Sequence, residues 1–299
     1  MKKILLSIVF LMTTSLSIAQ TTEKENLKKT EEAAKVAADK PNGWVKKGTF
    51  TALFNQANFN NWLAGGQSNI SINGSLNYDF NYKKDDITWD NKLLLGYGVT
   101  KIQGAELLKS DDRIDFNSLY GKKAKGYWYY SGFFNFKSQF TTNLGVNPAG
   151  WNLPKTTSFL SPAFIQVGPG MLWKKSDNLK VNIAPATSRF IIVNDQVLAD
   201  AGAFGVDPGK NLRFEFGAAL SGYYKFNIAE NVSVENILNL YSNYLEDPQN
   251  VDLDYQINVV MKINKWLSSN IAFHTIYDDN AFRGFQTRQL FGLGLNYGF

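Results

Sequence analysis

The chain has 299 residues, of which 44% are hydrophobic and 19% are charged, and its formal net charge is +5. Aromatic residues make up 14% of the chain beside only 8 prolines and 24 glycines, a balance that favours β structure and excludes a disordered or collagen-like chain. Cysteine is absent, which excludes disulfides, thiol catalysis and a lipidated cysteine.

The first predicted element is a secretory signal peptide at residues 1–19. Two lysines precede an apolar run at positions 4–12, and a small-x-small sequence ends at Ala19. This order is typical of an export signal, so we expect cleavage between Ala19 and Gln20. The alternative, a membrane anchor, is disfavoured because the run is much shorter than the roughly 20 residues that span a bilayer.

Residues 20–43 form the next segment, which is rich in Glu, Lys and Ala and has no continuous apolar stripe. This composition predicts a polar periplasmic tail or linker, or a marginal helix that ends at Pro41. A role as a plug or tether is a second reading of such a tail.

From residue 44 to residue 299 the sequence alternates with a period of two. In Asn69–Tyr82 every second residue is apolar, aromatic or glycine, and every residue between them is Asn, Ser or Asp. Stretches within 212–226, 251–263 and 288–299 repeat the pattern, and about twelve segments have lengths near the roughly 9 to 11 residues that cross a bilayer. The sequence therefore predicts an all-β fold, an antiparallel transmembrane up-and-down β-barrel of about 12 strands.

The connections between these segments alternate in length. Tight turns are expected near Lys83, Lys123, Lys174, Ala229 and Asn264, and longer loops around Trp62, Ala105, Trp151, Asp200, Asp247 and Asn280. In transmembrane barrels the tight turns are periplasmic and the longer loops are extracellular. An even strand number then leaves both termini in the periplasm.

Tryptophans lie beside the tight turns. Indole rings prefer the headgroup region of a membrane, so they predict an aromatic girdle formed by Trp89, Trp128, Trp173 and Trp266, with Trp44 on the same side. Core tryptophans at strand ends are the alternative. Trp266 fits least well, because its parity matches the polar face of its strand.

The last strand ends on an aromatic residue, Phe299. A C-terminal aromatic residue on an amphipathic strand resembles the signal by which the barrel-assembly machinery recognises outer-membrane proteins. We therefore expect that machinery as a partner during biogenesis, and outer-membrane lipid and lipopolysaccharide as the surroundings of the barrel.

Two blocks of sequence resemble a known family: "NQANFNNWLAGGQSNISINGSLNY" and "SPAFIQVGPGMLWKKSDNLKVNIAPATSRFIIV". The first contains Asn61, Trp62, Gly65 and Gly66, and the second contains Ser161, Pro162, Gly168, Gly170 and Pro185. Both are similar to the uncharacterised outer-membrane β-barrel family called domain of unknown function 3078, from Bacteroidetes-type Gram-negative bacteria, over roughly residues 43–299. The resemblance implies a barrel and a location and no activity.

The polar faces of the strands predict the residues of the barrel interior, and their charges are mixed in sign. The lumen-facing candidates are Asp79, Asp90, Lys92, Arg213, Glu215, Lys225, Asp252, Asp254, Lys262, His274 and Arg288. A barrel of about twelve strands has a narrow interior, which these charges either seal or line as a small pore.

No catalytic residue, cofactor or metal ligand is predicted. His274 is the single histidine, which excludes a multi-histidine metal cage and makes a barrel-embedded hydrolase the least favoured hypothesis. The acidic loops with Glu246, Asp247, Asp278 and Asp279 are read as solvated turns, with divalent-cation binding as the alternative. The basic residues are dispersed along the sequence, which argues against nucleic acid as a partner. A narrow polar conduit for small solutes is favoured, and a scaffold for an envelope complex is the alternative.

Overall fold

The computed structural model describes residues 42–58, 67–144 and 155–299. The strands in these ranges are β1 Gly43–Ala57, β2 Asn69–Lys84, β3 Ile87–Ile102, β4 Leu107–Lys125, β5 Trp128–Ser138, β6 Asn143–Leu144, β7 Lys155–Thr157, β8 Ala163–Ser176, β9 Leu179–Ile192, β10 Leu212–Ala229, β11 Val232–Asn243, β12 Val251–Lys262, β13 Leu267–Asp278 and β14 Phe282–Gly298. The predicted signal peptide, most of the polar tail, Trp62 and Trp151 lie outside the described residues.

Twelve of the described strands form a closed barrel. Their order is β1, β14, β13, β12, β11, β10, β9, β8, β5, β4, β3 and β2, and β1 closes the ring by pairing with both β2 and β14. The pairs whose register is defined are antiparallel, and β6 and β7 form a separate two-stranded sheet. The predicted antiparallel barrel of about 12 strands is confirmed.

The barrel is polar inside and apolar outside. Leu293 and Phe291 of β14 are 55% and 67% exposed, whereas Asp115 of β4 and Glu215 of β10 are buried. Further exposed apolar side chains on the barrel strands are Phe50, Phe54, Ile72, Tyr130, Phe134, Val167, Ile183, Phe214, Ile271 and Leu295. A soluble protein seldom exposes so many large apolar side chains on adjacent strands.

The tight turns lie together at one end of the barrel. The turn between β2 and β3 has two residues, and the β1 residue Gly43 pairs with Lys83 beside it. At the same end, Phe299 exchanges backbone hydrogen bonds with Gly48 of β1. The start of β1 and the C-terminal residue therefore share the tight-turn end.

The connections at the other end are less uniform than the sequence predicts. The connections at Ala105 and Asn280 are short, covering residues 103–106 and 279–281, so the expectation of long loops there is wrong. A short connection is possible beside Ala105 because Gly104 adopts a left-handed backbone conformation, with φ +80°, which allows a tight turn.

The connection between β9 and β10 contains an unpredicted helix, α1 Gln196–Asp200, followed by a 3₁₀ turn at Ala203–Gly205. The side chain of Asp195 caps α1 by accepting from Leu198 N. A small buried apolar cluster that includes Val193 and Val206 packs with the helix. None of the helices in the described ranges has the length and hydropathy needed to cross a membrane.

Candidate functional site

Charged side chains meet inside the barrel at several levels between its two ends. The level nearest the tight turns is centred on Asp90 of β3. Its carboxylate accepts from Lys174 Nζ of β8 at 2.9 Å and from Lys180 Nζ of β9 at 2.7 Å. Since β3 lies three strands from β8 and four from β9 in the barrel order, these ion pairs cross the interior.

The second level joins opposite walls of the barrel, and we call it the closure: Lys92, Asp79, Glu235 and Tyr223. Lys92 Nζ lies 3.3 Å from Asp79 and 3.4 Å from Glu235, and Tyr223 donates to Glu235 at 2.8 Å. Lys92 is on β3 and Glu235 is on β11, six strands apart in both directions around the ring. The Lys92–Glu235 pair therefore spans the interior from wall to wall.

The third level contains Asp254, which forms an ion pair with Lys137 of β5 and a 2.9 Å hydrogen bond with His274 Nε2. Beside them, Arg113 of β4 donates to Gln256 of β12 at 2.9 Å, again between strands six apart in the ring. This level thus repeats the wall-to-wall contact of the closure.

The fourth level lies towards the long-loop end and is organised by Arg189 of β9. Its guanidinium contacts the carboxylates of Glu215, Asp252 and Asp278, at 3.5 Å for Glu215 and 2.9 Å for Asp278. Arg213 adds bonds to Glu215 at 2.9 Å and Glu246 at 2.8 Å. A separate pair between Arg288 of β14 and Asp111 of β4 crosses the barrel nearby.

Burial shows that the interior is closely packed around Asp90 and around Arg189. Exposed fractions are 7% for Asp90, 4% for Asp115, 6% for Arg189 and 1% for Glu215. Other interior charges are more accessible, since the side chain of Asp79 in the closure is 37% exposed and that of Arg288 is 30% exposed. A cavity of about 390 Å³ remains towards the long-loop end, and its walls include Asp254, His274 and Arg288.

Most of the predicted lumen-facing residues take part in this network. Those brought into its ion pairs are Asp79, Asp90, Lys92, Arg213, Glu215, Asp252, Asp254, His274 and Arg288. Lys225 stands opposite Glu235 in the register of β10 and β11. Lys262 lies apart, as an exposed residue at the tight-turn end of β12.

The sequence reading missed Arg189, which contacts more carboxylates than any other described cation. A β-bulge explains why the alternation of the sequence does not place Arg189 in the interior. The β9–β10 register shifts between the Thr187–Gly217 and Ala184–Ala219 pairs. Asn182 and Ala184 are buried before the shift and Thr187 and Arg189 after it, so the inward parity changes. Pro185, inside the shift, is the one sequence signal for it.

Other interior residues were missed for simpler reasons. Lys174 lies where the sequence predicts a tight turn, Lys180 is not among the predicted interior residues, and Asp278 is predicted in a solvated outer loop. The structure corrects that interpretation of Asp278, which is buried and paired with Arg189. Arg113 and Asp111 belong to the same interior set.

His274 lies in the ion-pair network of the interior. Its hydrogen bond within the described residues is with Asp254, and Asp254 also pairs with Lys137. A nucleophilic hydrolase needs a hydroxyl within hydrogen-bond reach of its histidine. The described residues contain no such hydrogen bond to His274.

Trp44, Trp89 and Trp128 are exposed on the barrel strands, Trp266 is exposed in a turn, and Trp173 of β8 is half-buried. Trp89 is close to Trp44, with ring centroids 5.6 Å apart, and Trp128 is the cross-strand partner of Trp173. Trp266 lies in the connection between β12 and β13, where Lys265 covers its ring at 5.2 Å. Because Trp266 lies in a turn, the alternation of the strand does not apply to it, and its match to the polar face no longer argues against the girdle.

The terminal aromatic residue packs at the barrel seam. The Phe299 ring stacks on Tyr78 of β2 at 6.0 Å and on Tyr297 at 6.2 Å. It lies across Gly48 of β1, where an added Cβ would come within 2.3 Å of the ring. The glycine therefore makes room for a ring that reaches from β14 to β2.

Residues 54–144 match a family described as "Protein of unknown function (DUF3078)". This match confirms the resemblance for the first of the two sequence blocks, and the second block lies outside the matched residues. The comparison with curated proteins gave no match.

Several solved structures are similar over most of their length. One is the translocator domain of autotransporter NalP from Neisseria meningitidis, at 9% identity, covering 94% of this chain and 97% of that chain with a TM-score of 0.34. Another is an outer membrane channel from Pseudomonas putida F1, at 12% identity, covering 87% and 96% with a TM-score of 0.38. A third is the outer membrane channel DcaP of Acinetobacter baumannii, at 10% identity, covering 86% and 96% with a TM-score of 0.30.

Proposed function

We propose that this protein is an outer-membrane barrel that conducts small polar solutes and that the described conformation is its closed state. Both termini lie in the periplasm, and the long-loop end faces the outside of the cell. The wall-to-wall contact of Lys92 with Glu235 carries the proposal, since it divides the interior below the 390 Å³ cavity.

The membrane location is supported by the distribution of side chains, which is apolar outside and polar inside, the reverse of that in a soluble protein. Phe291, Leu293 and Leu295 are more than half exposed on one strand, while the opposite faces of the strands carry ion pairs. Water would disfavour this arrangement and a bilayer would favour it, because lipid-facing residues bury apolar surface in hydrocarbon. The tryptophans at the tight-turn end support the same orientation, with one aromatic girdle at the periplasmic interface.

The closed state is supported by the chemistry of the closure. Lys92 touches carboxylates on two sides, Asp79 on the neighbouring strand and Glu235 on the far wall. Side chains held by ion pairs can separate when an ion or solute replaces a partner, whereas an apolar plug has no such competitor. The cavity on the long-loop side gives a small solute a place to arrive before the closure opens.

Planar-bilayer conductance tests the proposal. The double variant Lys92→Ala and Glu235→Ala removes the wall-to-wall pair, so it should show larger and more frequent open events than the wild type. Lys123→Ala is the matched control: it removes a lysine at the same end of the barrel whose side chain lies over Tyr129 instead of in the closure. We expect it to conduct like the wild type.

The opposite result would favour a different function. If both the wild type and the double variant are silent in bilayers while folded, the conduit proposal fails. The packed interior then supports the scaffold alternative, which predicts that an envelope protein co-purifies with the barrel in mild detergent at a fixed ratio.

A further inference from the structure

The cavity of about 390 Å³ in the barrel interior has both charged and apolar walls. Charged side chains of β4 and β5 line it together with the apolar side chains of Phe164 on β8 and Ile276 on β13. Small-molecule sites have volumes of roughly 300–1,000 Å³ and combine apolar walls with a few placed polar groups. The cavity therefore has the size and the composition of a site for a small organic molecule.

Most of the charged side chains in these walls already have a partner of opposite charge. The ion pairs are Arg288–Asp111, Lys137–Asp254 and Lys109–Asp112. Arg113 and Asp115 of β4 also line the cavity, and neither forms an ion pair with any residue of the described ranges. One positive and one negative charge are therefore left for a ligand.

Each of these two side chains has one atom that can meet a ligand. Arg113 Nη1 donates to Gln256 at 2.9 Å, whereas no described residue accepts from its Nη2, which is not fully buried. Asp115 Oδ1 accepts from Asn117 at 2.7 Å and from Asn135 at 3.3 Å, whereas its Oδ2 has no donor in the described part of the chain and is not fully buried either. Nη2 can therefore donate to an anionic group, and Oδ2 can accept from a cationic one.

The two groups are close enough for one small molecule to contact both. Arg113 and Asp115 are two positions apart on β4, so their side chains share a face and their Cα atoms lie roughly 7 Å apart. A ligand with a single charge would satisfy one of the two groups and leave the other without a partner. An α-amino acid carries an ammonium and a carboxylate on the same carbon atom, so it offers both charges within a short distance.

We propose that this cavity binds the zwitterion of an α-amino acid with an apolar side chain. Arg113 Nη2 donates to the α-carboxylate, Asp115 Oδ2 accepts from the α-ammonium, and Phe164 and Ile276 contact the side chain. Hydrogen bonds between charged groups are about twice as strong as neutral ones, so the two contacts together select a zwitterion. The inference rests on the proposed function, because it names the class of solute that the conduit would take.

Isothermal titration calorimetry of the full-length protein in detergent tests the site. The probe is L-leucine up to about 10 mM, which detects dissociation constants near about 1 mM. Two analogues separate the charges: 4-methylpentanoate lacks the ammonium, and 3-methylbutylamine lacks the carboxylate. The wild type should bind one L-leucine per chain and each analogue about tenfold or more weakly, since each analogue loses one hydrogen bond between charged groups.

Two variants assign the charges to residues. Asp115→Asn keeps the shape of the side chain, so it should weaken L-leucine binding by about tenfold or more and abolish the preference for L-leucine over 4-methylpentanoate. Arg113→Met should abolish the preference for L-leucine over 3-methylbutylamine. A merely structural defect would weaken all three ligands alike. Asp207→Asn, at an exposed aspartate of the β9–β10 connection outside the cavity, is the matched control and should bind like the wild type.

Absence of L-leucine binding by the folded wild type overturns the proposal. Equal affinities for L-leucine and 4-methylpentanoate overturn it as well, and so does an Asp115→Asn variant that binds L-leucine as tightly as Asp207→Asn. The bilayer experiment on Lys92→Ala with Glu235→Ala keeps the two proposals apart. Conductance without L-leucine binding rejects the amino-acid site and keeps the conduit, whereas L-leucine binding by a protein that is silent in bilayers rejects the conduit and keeps the site.

Discussion

Arg189 is predicted to stabilise the barrel through the carboxylates it holds, and Arg189→Met tests that role. The side chain is 7% exposed, contacts Glu215, Asp252 and Asp278, and lies 5.0 Å from the Phe164 ring centroid. Methionine keeps much of the apolar contact with that ring and removes the positive charge. The expected loss in the free energy of unfolding therefore measures the cost of burying carboxylates without a counter-charge.

The magnitude follows from which carboxylates are left without a partner. In the variant, Glu215 keeps its ion pair with Arg213, and Asp278 keeps hydrogen bonds from the backbone of Asn280 and Ala281. Asp252 loses the hydrogen bond that it accepts from Arg189. Removing one partner of a buried ion pair costs about 3–5 kcal/mol. With one carboxylate left unpartnered we expect the lower end, about 3 kcal/mol, or roughly a hundredfold in the folding equilibrium.

Urea unfolding in lipid vesicles, followed by tryptophan fluorescence, measures this loss. EDTA is present so that no divalent cation replaces the guanidinium. Adding Asp252→Asn to Arg189→Met should restore about 1–2 kcal/mol, since it removes the unpartnered charge. Lys210→Met, at an exposed lysine of the β9–β10 connection, should have little effect. A loss below about 1 kcal/mol for Arg189→Met, or no recovery in the double variant, would refute the reasoning.

Four further predictions concern assembly, orientation and chemistry. Gly48→Ala should lower the yield of folded barrel in refolding assays because the added Cβ meets the Phe299 ring. Combining it with Phe299→Ala should remove that clash. Equal yields for Gly48→Ala and the wild type would contradict the packing. Single-tryptophan variants retaining Trp128 should be quenched most by lipids brominated near the headgroup, and deep quenching would argue against the girdle. Protease added to intact cells should cut within residues 193–211 and spare the tight turns, with the reverse pattern inverting the orientation. His274→Asn should leave ester and peptide hydrolysis at the wild-type background, and a specific loss of turnover would revive the hydrolase hypothesis.

The strands were predictable because their two faces meet different surroundings. In β2, Ile70 and Ile72 are exposed while Ser71 hydrogen-bonds with Thr100 of β3 and Asn73 accepts from Ser110 of β4, as the alternation indicates. A period of two is enough to place strand positions and to separate inward from outward side chains. The sequence therefore predicted both the strand number and most of the interior charges.

The partners of those charges were not predictable in the same way. Which residues meet across the interior depends on strand order, stagger and closure together, so Lys92 and Glu235 meet across 143 positions of sequence. A single bulge is enough to change the side on which Arg189 lies. The helix α1 was missed because its five residues are too short for a helical period to appear.

The composition of the interior bears on our proposal that the barrel is a closed conduit. A twelve-strand barrel can be filled with apolar side chains, and replacing buried ion pairs by apolar residues is often neutral or stabilising. Stability alone therefore gives no reason to keep pairs such as Lys92–Glu235 at a wall-to-wall contact. Ion pairs differ from apolar packing in one useful respect, because water, salt or a charged solute can take the place of either partner. The proposed conduit requires an interior that opens again, and a network of ion pairs meets that requirement.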